Sequence, residues 1–347
     1  MTSSTKVAVL GSGAWGTALA KVLADKGDDV LLWSRRAELR DQINESHENA
    51  QYLPGVTLPP GIVATDDLER ALAGASMVVF VAPSHGTRAL ARLAAPYVPG
   101  GVPVVSATKG IENDTLMFMD EILNEELPDR ARGHLAFLSG PSFAKELALH
   151  HPTAVVIASR SEADRAAVMH RFHAPYLRTY GSDDVIGVEC GGALKNVIAI
   201  AAGAADGLGF GYNTRAALIT RGLAEVAKLS MARGGSALTL AGLAGMGDLV
   251  LTCTGELSRN RTVGVELGKG KKLPDVLAAL GHVAEGVKTA KSAYDLARKL
   301  AVEMPITCEV YKALYEGKPA ADAVVDLMAR ELGPEFDHAA APHAVRS

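Results

Sequence analysis

The chain of 347 residues has only three cysteines, Cys190, Cys253 and Cys308, too far apart for local metal-ligand spacing and odd in number. A disulfide framework is therefore excluded as its organising device, no metal site is expected, and a reducing, cytoplasmic setting fits. The chain also lacks any long basic run and carries a formal charge of −4. Nucleic acid and anionic membranes are poor candidates for its main partner. Its longest apolar stretch, around Ala193 to Ala205, is interrupted by Lys195, Asn196 and Gly203 and reads as too short to cross a bilayer. Met1 to Lys6 shows no basic n-region and no separate apolar segment, so no leader peptide is expected. Small molecules remain as the expected partners, and the length allows two domains.

The apolar run Val7 to Leu10 leads into Gly11-Ser12-Gly13-Ala14-Trp15-Gly16, a GxGxxG turn, and then into a helix over Ala14 to Asp25 that ends before Gly27. Gly11 suits the tight strand-to-helix turn, Gly13 lets backbone approach a pyrophosphate, and Gly16 lets the helix pack on the strand. The helix start offers its free N–H groups to the anion. A second strand, Val30 to Trp33, follows at βαβ spacing. An NAD site usually places Asp or Glu there, about 20 residues beyond the turn, to hold the ribose 2′-hydroxyl. Here Ser34-Arg35-Arg36 stands instead. Two guanidiniums suit a 2′-phosphate, so NADP(H) is expected to be accepted, alone or beside NAD(H).

Strand-like runs at Met77 to Ala82, Val102 to Ala107, Leu135 to Ser139, Thr153 to Ser159 and Leu177 to Tyr180 alternate with helical patterns at Asp66 to Ala73, Thr87 to Ala95 and Leu116 to Glu126. That rhythm predicts a doubly wound, mostly parallel α/β sheet, Rossmann-like, over residues 1–184. From about Asp184 the pattern turns to helix after helix, predicting an all-helical second domain over 185–333. Residues 334–347, rich in Ala, His and Pro, show no periodic apolar face and are expected to be a disordered tail. The expected assembly is a homodimer through the heavily apolar helices.

The segment Gly191 to Ala202 is apolar almost all round except for Lys195 and Asn196. A helix apolar on every face is buried, so the Lys195 ammonium must pair with a carboxylate or lose part of its basicity. Such a lysine is a usable acid or base. Glu189, Glu225 and Asp248 are its candidate partners. Asp248 lies in a glycine cluster from Gly245 to Asp248, and Ser258-Arg259-Asn260 precedes a helical run. A hydroxyl, a guanidinium, an amide and a helix start together suit phosphate. Lys109 follows one strand end and Gly140-Pro141-Ser142 another, at the edge where open α/β sheets bind ligands. His85 reads as a loop histidine, and Tyr52 as a packing residue.

Taken in order, GSGAWGTALA, LWSRR, ATKG, SGPSFAKE, IGVECGGALKNVIAIAAG, ALITRGLAE, GMGDLVLTCT, SRNR, AEGV and EMPI make the chain resemble the bacterial NAD(P)-dependent glycerol-3-phosphate dehydrogenase family, from about Lys6 to Arg330. The resemblance implies interconversion of sn-glycerol 3-phosphate and dihydroxyacetone phosphate, feeding phospholipid synthesis. It implies Lys195 as catalytic proton donor, and substrate contacts from Lys109, Gly140, Ser142, Asp248, Ser258, Arg259 and Asn260. Cofactor contacts are implied at Ala14, Trp15, Arg35, Arg36, Lys109, Ala144, Arg259, Val283 and Glu285. Ala14 departs from the Ser of many relatives, so only the backbone contact to pyrophosphate remains there. Ala284 departs from the commoner Val. The β-hydroxyacid and 6-phosphogluconate dehydrogenases share the architecture, but they usually carry Asn four residues beyond the lysine, where this chain has Ala199. A non-catalytic NADP-sensing protein is the remaining alternative, disfavoured by Lys195 and Ser258-Arg259-Asn260.

Overall fold

The computed structural model describes residues 5–280 and 284–335. Eight strands form one sheet: β1 (Lys6–Leu10), β2 (Asp29–Trp33), β3 (Ile62–Thr65), β4 (Met77–Phe80), β5 (Val104–Ser106), β6 (Leu135–Ser139), β7 (Thr153–Ala158) and β8 (Leu177–Ser182). Their order is β3-β2-β1-β4-β5-β6-β7-β8, and every neighbouring pair is parallel except β6 with β7. The helices among them are α1 (Ala14–Asp25), α2 (Ala37–Ser46), α3 (Leu68–Leu72), α4 (Ser84–Ala94), α5 (Met119–Glu126), α6 (Asp129–Arg132), α7 (Ala144–Ala148) and α8 (Glu162–Phe172). The central strands β4, β5 and β6 are wholly buried, as expected when helices cover both faces of a parallel sheet. The order of successive strands reverses between β1 and β4, which makes the crevice at the carboxyl ends of these two parallel strands the place for a ligand.

From α9 (Val185–Gly207) onward the described residues form helices and no strand: α10 (Tyr212–Ala232), α11 (Ala237–Leu240), a π-helical turn at Leu243–Gly247, α12 (Asp248–Thr254), α13 (Arg259–Gly268), α14 (Leu273–Leu280), α15 (Glu285–Lys299), α16 (Pro305–Tyr315) and α17 (Ala320–Met328). The sequence reading of the longest apolar segment is corrected here. Asp184 caps α9 by accepting the Gly187 N–H at 2.8 Å, so the helix starts earlier and runs 23 residues. By length and composition α9 could span a bilayer, but 83% of its apolar window is buried. It is the axis about which the other helices pack. Close approach explains its small residues: a Cβ at Gly203 would lie 2.1 Å from the Arg261 carbonyl oxygen, and one at Gly264 would lie 2.0 Å from that of Ile200.

The strand β3 and the helices α2 and α8 escape the sequence reading. Only Leu39 and Ile43 of α2 are buried, and α8 buries Asp164, Val168 and Phe172, so neither carries the broad apolar stripe that reveals a helix. Most of the expected tail lies outside the described residues, as does Val283.

Candidate active site

At the end of β1, Gly11 adopts φ +132, and a Cβ there would come within 2.5 Å of the Val81 carbonyl oxygen. Gly16 packs so closely on this turn that its Cβ would lie 1.9 Å from the Gly11 oxygen. Above Gly13 a Cβ would meet nothing within 4 Å. No side chain caps α1, so the first N–H groups at Ala14 and Trp15 face that open space. Asn49, fully buried, donates to the Ser12 carbonyl at 2.9 Å and to Thr17 Oγ1 at 2.8 Å, fixing the turn. Open space, bare amides and a helix dipole fit the pyrophosphate of a dinucleotide.

Beyond β2, Arg35 is exposed while Arg36 donates to Gln51 Oε1 and to the Tyr52 hydroxyl, each at 2.8 Å. The Arg36 guanidinium also lies 5.2 Å from the Tyr52 ring centre. Tyr52 packs, as its sequence suggested, but against Arg36. That partnership is what the sequence reading missed, since the loop from Asn49 brings it back from 16 residues away.

Lys195 lies in the middle of α9, and its ammonium pairs with Asp248 Oδ1. Lys109, three residues past β5, donates to Asp248 Oδ2 at 2.6 Å and to the Gly140 carbonyl at 3.1 Å. Asp248, 1% exposed, therefore bridges two ammoniums. Of the three candidate carboxylates only Asp248 meets Lys195. Glu225 instead accepts from the Ile306 and Thr307 N–H groups at 2.6 and 3.1 Å, capping α16 from a distance. Glu189 accepts from the Asp120 N–H at 3.1 Å.

Burial and the neighbouring Lys109 charge push Lys195 down to about 8, against the opposing pull of Asp248. Burial would raise Asp248, but the two ammoniums hold it below the usual carboxylate range. The site thus keeps one net positive charge and a lysine close to the point of releasing its proton. Local chain geometry permits this crowding. The glycine cluster before Asp248 forms a π-helical turn running into α12, and a Cβ at Gly191 would lie 2.3 Å from the Ala244 oxygen in that turn. π-turns of this kind recur at functional sites because they re-aim the side chains that follow.

The start of α13 supplies the next wall. Ser258 caps the helix by accepting from the Arg261 N–H at 3.3 Å, and Asn260 accepts from the Gly286 N–H at 2.9 Å while donating to Asn196 Oδ1 at 2.7 Å. Asn260 is thus tied into the α9–α13–α15 seam, Ser258 into the α13 cap, and Arg259 is the exposed cation of the trio. Glu285 accepts from Ser84 Oγ at 2.8 Å, and burial raises its carboxyl above the ordinary range. Gly140, at φ +133, offers its carbonyl to Ser142 Oγ at 3.0 Å as well as to Lys109. Ala144 opens α7 on the same edge. His85 is not in a loop: it sits exposed in the first turn of α4. Among the described residues no cluster of His, Cys, Asp and Glu has the makings of a metal site.

Comparison with known proteins agrees with this geometry. Residues 6–165 match the family described as NAD-dependent glycerol-3-phosphate dehydrogenase N-terminus, and residues 184–325 match the corresponding C-terminus. The chain is 55% identical over 323 residues to a glycerol-3-phosphate dehydrogenase (NAD(P)+) of Myxococcus xanthus, covering 93% of this chain and 96% of that one. It is 54% identical to the enzyme of the same name from Geobacter sulfurreducens, covering 96% and 99%. The crystal structure of glycerol-3-phosphate dehydrogenase from Coxiella burnetii superposes with a TM-score of 0.90 at 40% identity, covering 94% of this chain and 99% of that one. The chain belongs to the NAD-dependent glycerol-3-phosphate dehydrogenase family.

Proposed function

We propose that this protein transfers hydride reversibly between NAD(P)H and dihydroxyacetone phosphate, giving sn-glycerol 3-phosphate. The observation that carries the reading is the pair of ammoniums on one buried carboxylate, Lys195 and Lys109 on Asp248. When bound, the dinucleotide supplies the hydride that reaches the carbonyl carbon. Negative charge then grows on the substrate oxygen, and Lys195 donates its proton there while Lys109 stabilises the charge from the sheet side. Asp248 holds both lysines in place and favours the charged form of Lys195 until the proton leaves. In the oxidative direction neutral Lys195 takes the hydroxyl proton back.

Arg259 and the start of α13 hold the substrate phosphate, with Ser258 and Asn260 keeping that turn rigid. Gly140 and Ser142 border the substrate from β6. Gly11, Gly13, Ala14, Trp15 and Gly16 cradle the pyrophosphate through backbone, Arg35 and Arg36 receive the adenosine end, and Ala144, Val283 and Glu285 complete the cofactor contacts. In this reading residues 1–184 are the dinucleotide-binding domain and residues 185–333 the catalytic domain. The protein works in the cytoplasm as a homodimer, and its product feeds glycerophospholipid synthesis. The direct test follows NADPH oxidation with dihydroxyacetone phosphate, glyceraldehyde 3-phosphate and a β-keto acid in turn. Turnover is expected with the first alone, falling about 10³-fold in Lys195→Ala, the range for loss of a proton donor. Preference for the β-keto acid, or full activity in Lys195→Ala, overturns the assignment.

A further inference from the structure

Beside Lys109 lies a small space of about 10 Å³, lined by Ser106, Thr108, Lys109, Ser139, Glu189 and Gly192 among others. Ser106 and Ser139 are the last residues of the adjacent strands β5 and β6, 1% and 4% exposed. Ser106 Oγ, Ser139 Oγ and Glu189 Oε2 are all buried, and none finds a hydrogen-bond partner among the described residues. Three unpaired polar atoms on residues that line one space are unusual, because buried polar groups are almost always paired. The volume is about that of one water, and a buried water typically makes about three hydrogen bonds.

The chemistry of the third group fits. Glu189 is held well above the usual carboxylate range by burial and by the neighbouring carboxylates of Asp120 and Glu121. Arg160 answers Asp120 at 3.3 Å and Arg233 answers Glu121 at 2.8 Å, so neither cation is paired with Glu189. A protonated carboxyl can donate through Oε2 while Oε1 accepts from the Asp120 N–H. The wall is shaped to leave the space open: a Cβ on Gly192 would lie 2.7 Å from Ser139 Oγ and 3.5 Å from the Lys109 stem.

We propose that this cavity binds one water molecule and that Ser106, Ser139 and Glu189 act through it as positioning residues for Lys109. The water joins the ends of β5 and β6 to α9 where all three converge on the reacting groups. The Lys109 loop leaves β5 at Ser106, Gly140 follows Ser139, and Lys195 lies six residues along α9 from Glu189. The inference rests on the reading of Lys109 and Lys195 given above, but its first test does not. A high-resolution crystal structure is expected to show one water within hydrogen-bond distance of Ser106 Oγ, Ser139 Oγ and Glu189 Oε2. An empty or collapsed space overturns the site, whichever carbonyl compound the enzyme reduces.

The second test is kinetic. Glu189→Gln keeps a donor and an acceptor and is expected to turn over like the parent, whereas Glu189→Leu is expected to lose about tenfold in kcat with the cofactor KM unchanged. Equal turnover in the two variants, high or low, overturns the positioning role. Should thermal unfolding show that Glu189→Leu does not fold, the Ser106→Ala/Ser139→Ala double variant replaces it. A fall of several-fold in its kcat at constant cofactor KM is expected, and full kcat contradicts the proposal.

Discussion

At the start of α1 the protein presents backbone, with open space above Gly13 and no side-chain cap, while around Asp248 the charged contacts are made by side chains. On the proposed function the first region handles a permanent anion. It needs only fixed N–H groups and glycines, so Ala14, with no polar side chain, suffices there. On the same proposal the second region handles a charge that appears and disappears during the reaction. It needs an ammonium whose basicity is set by burial and by its neighbours, so Lys195, Asp248 and Lys109 depend on one another. Anion binding can therefore be weakened one group at a time, whereas the lysine pair fails as a unit.

The largest effect expected from this contrast is in Asp248→Asn. Removing the carboxylate leaves two crowded ammoniums, which should cost about 3 kcal/mol of stability, within the range for breaking a buried ion pair. Chemical denaturation checks the stability, and kcat should fall with little change in the cofactor KM. Next comes the glycine pair. Gly16→Ala places a methyl 1.9 Å from the Gly11 oxygen and should lower stability by about 1–3 kcal/mol, as overpacking does. Gly13→Ala meets open space in the protein, so its melting temperature should match the parent while cofactor affinity drops. Equal melting points for the two glycine variants would break the comparison. Smallest is the double change Arg35→Ala/Arg36→Ala. The KM for NADPH should rise by roughly tenfold more than that for NADH, the size of one lost charge-assisted contact. Parallel shifts for both cofactors would remove the 2′-phosphate reading.

The same division explains what could be read from sequence. The glycine turn is local: strand, GxGxxG and helix lie within about twenty residues, and α1 has the expected bounds, Ala14–Asp25. Lys195 also stands out locally, as a charge in an apolar helix. Its partner does not, because Asp248 is 53 positions away and Glu189 and Glu225 are equally acidic in sequence. Only packing assigns Glu225 to cap α16 and Glu189 to the cavity beside Lys109. Ser258 and Asn260 show the converse: their types point to phosphate, yet the structure commits much of their hydrogen bonding to the α13 cap and the helix seam. The π-turn before Asp248 shows in sequence only as a cluster of glycines, because its i→i+5 hydrogen bonding has no compositional mark.

The central claim is that Lys195 gives up a proton under the control of Asp248, and the pH dependence of kcat for ketone reduction tests it most directly. The proton donor is the charged form, and burial sets its midpoint at about 8, so kcat should stay level below that pH and decline above it. In Asp248→Asn the charged form loses its stabilising partner, and the decline should begin at lower pH. A profile with no alkaline decline, or one that does not move in Asp248→Asn, contradicts the account.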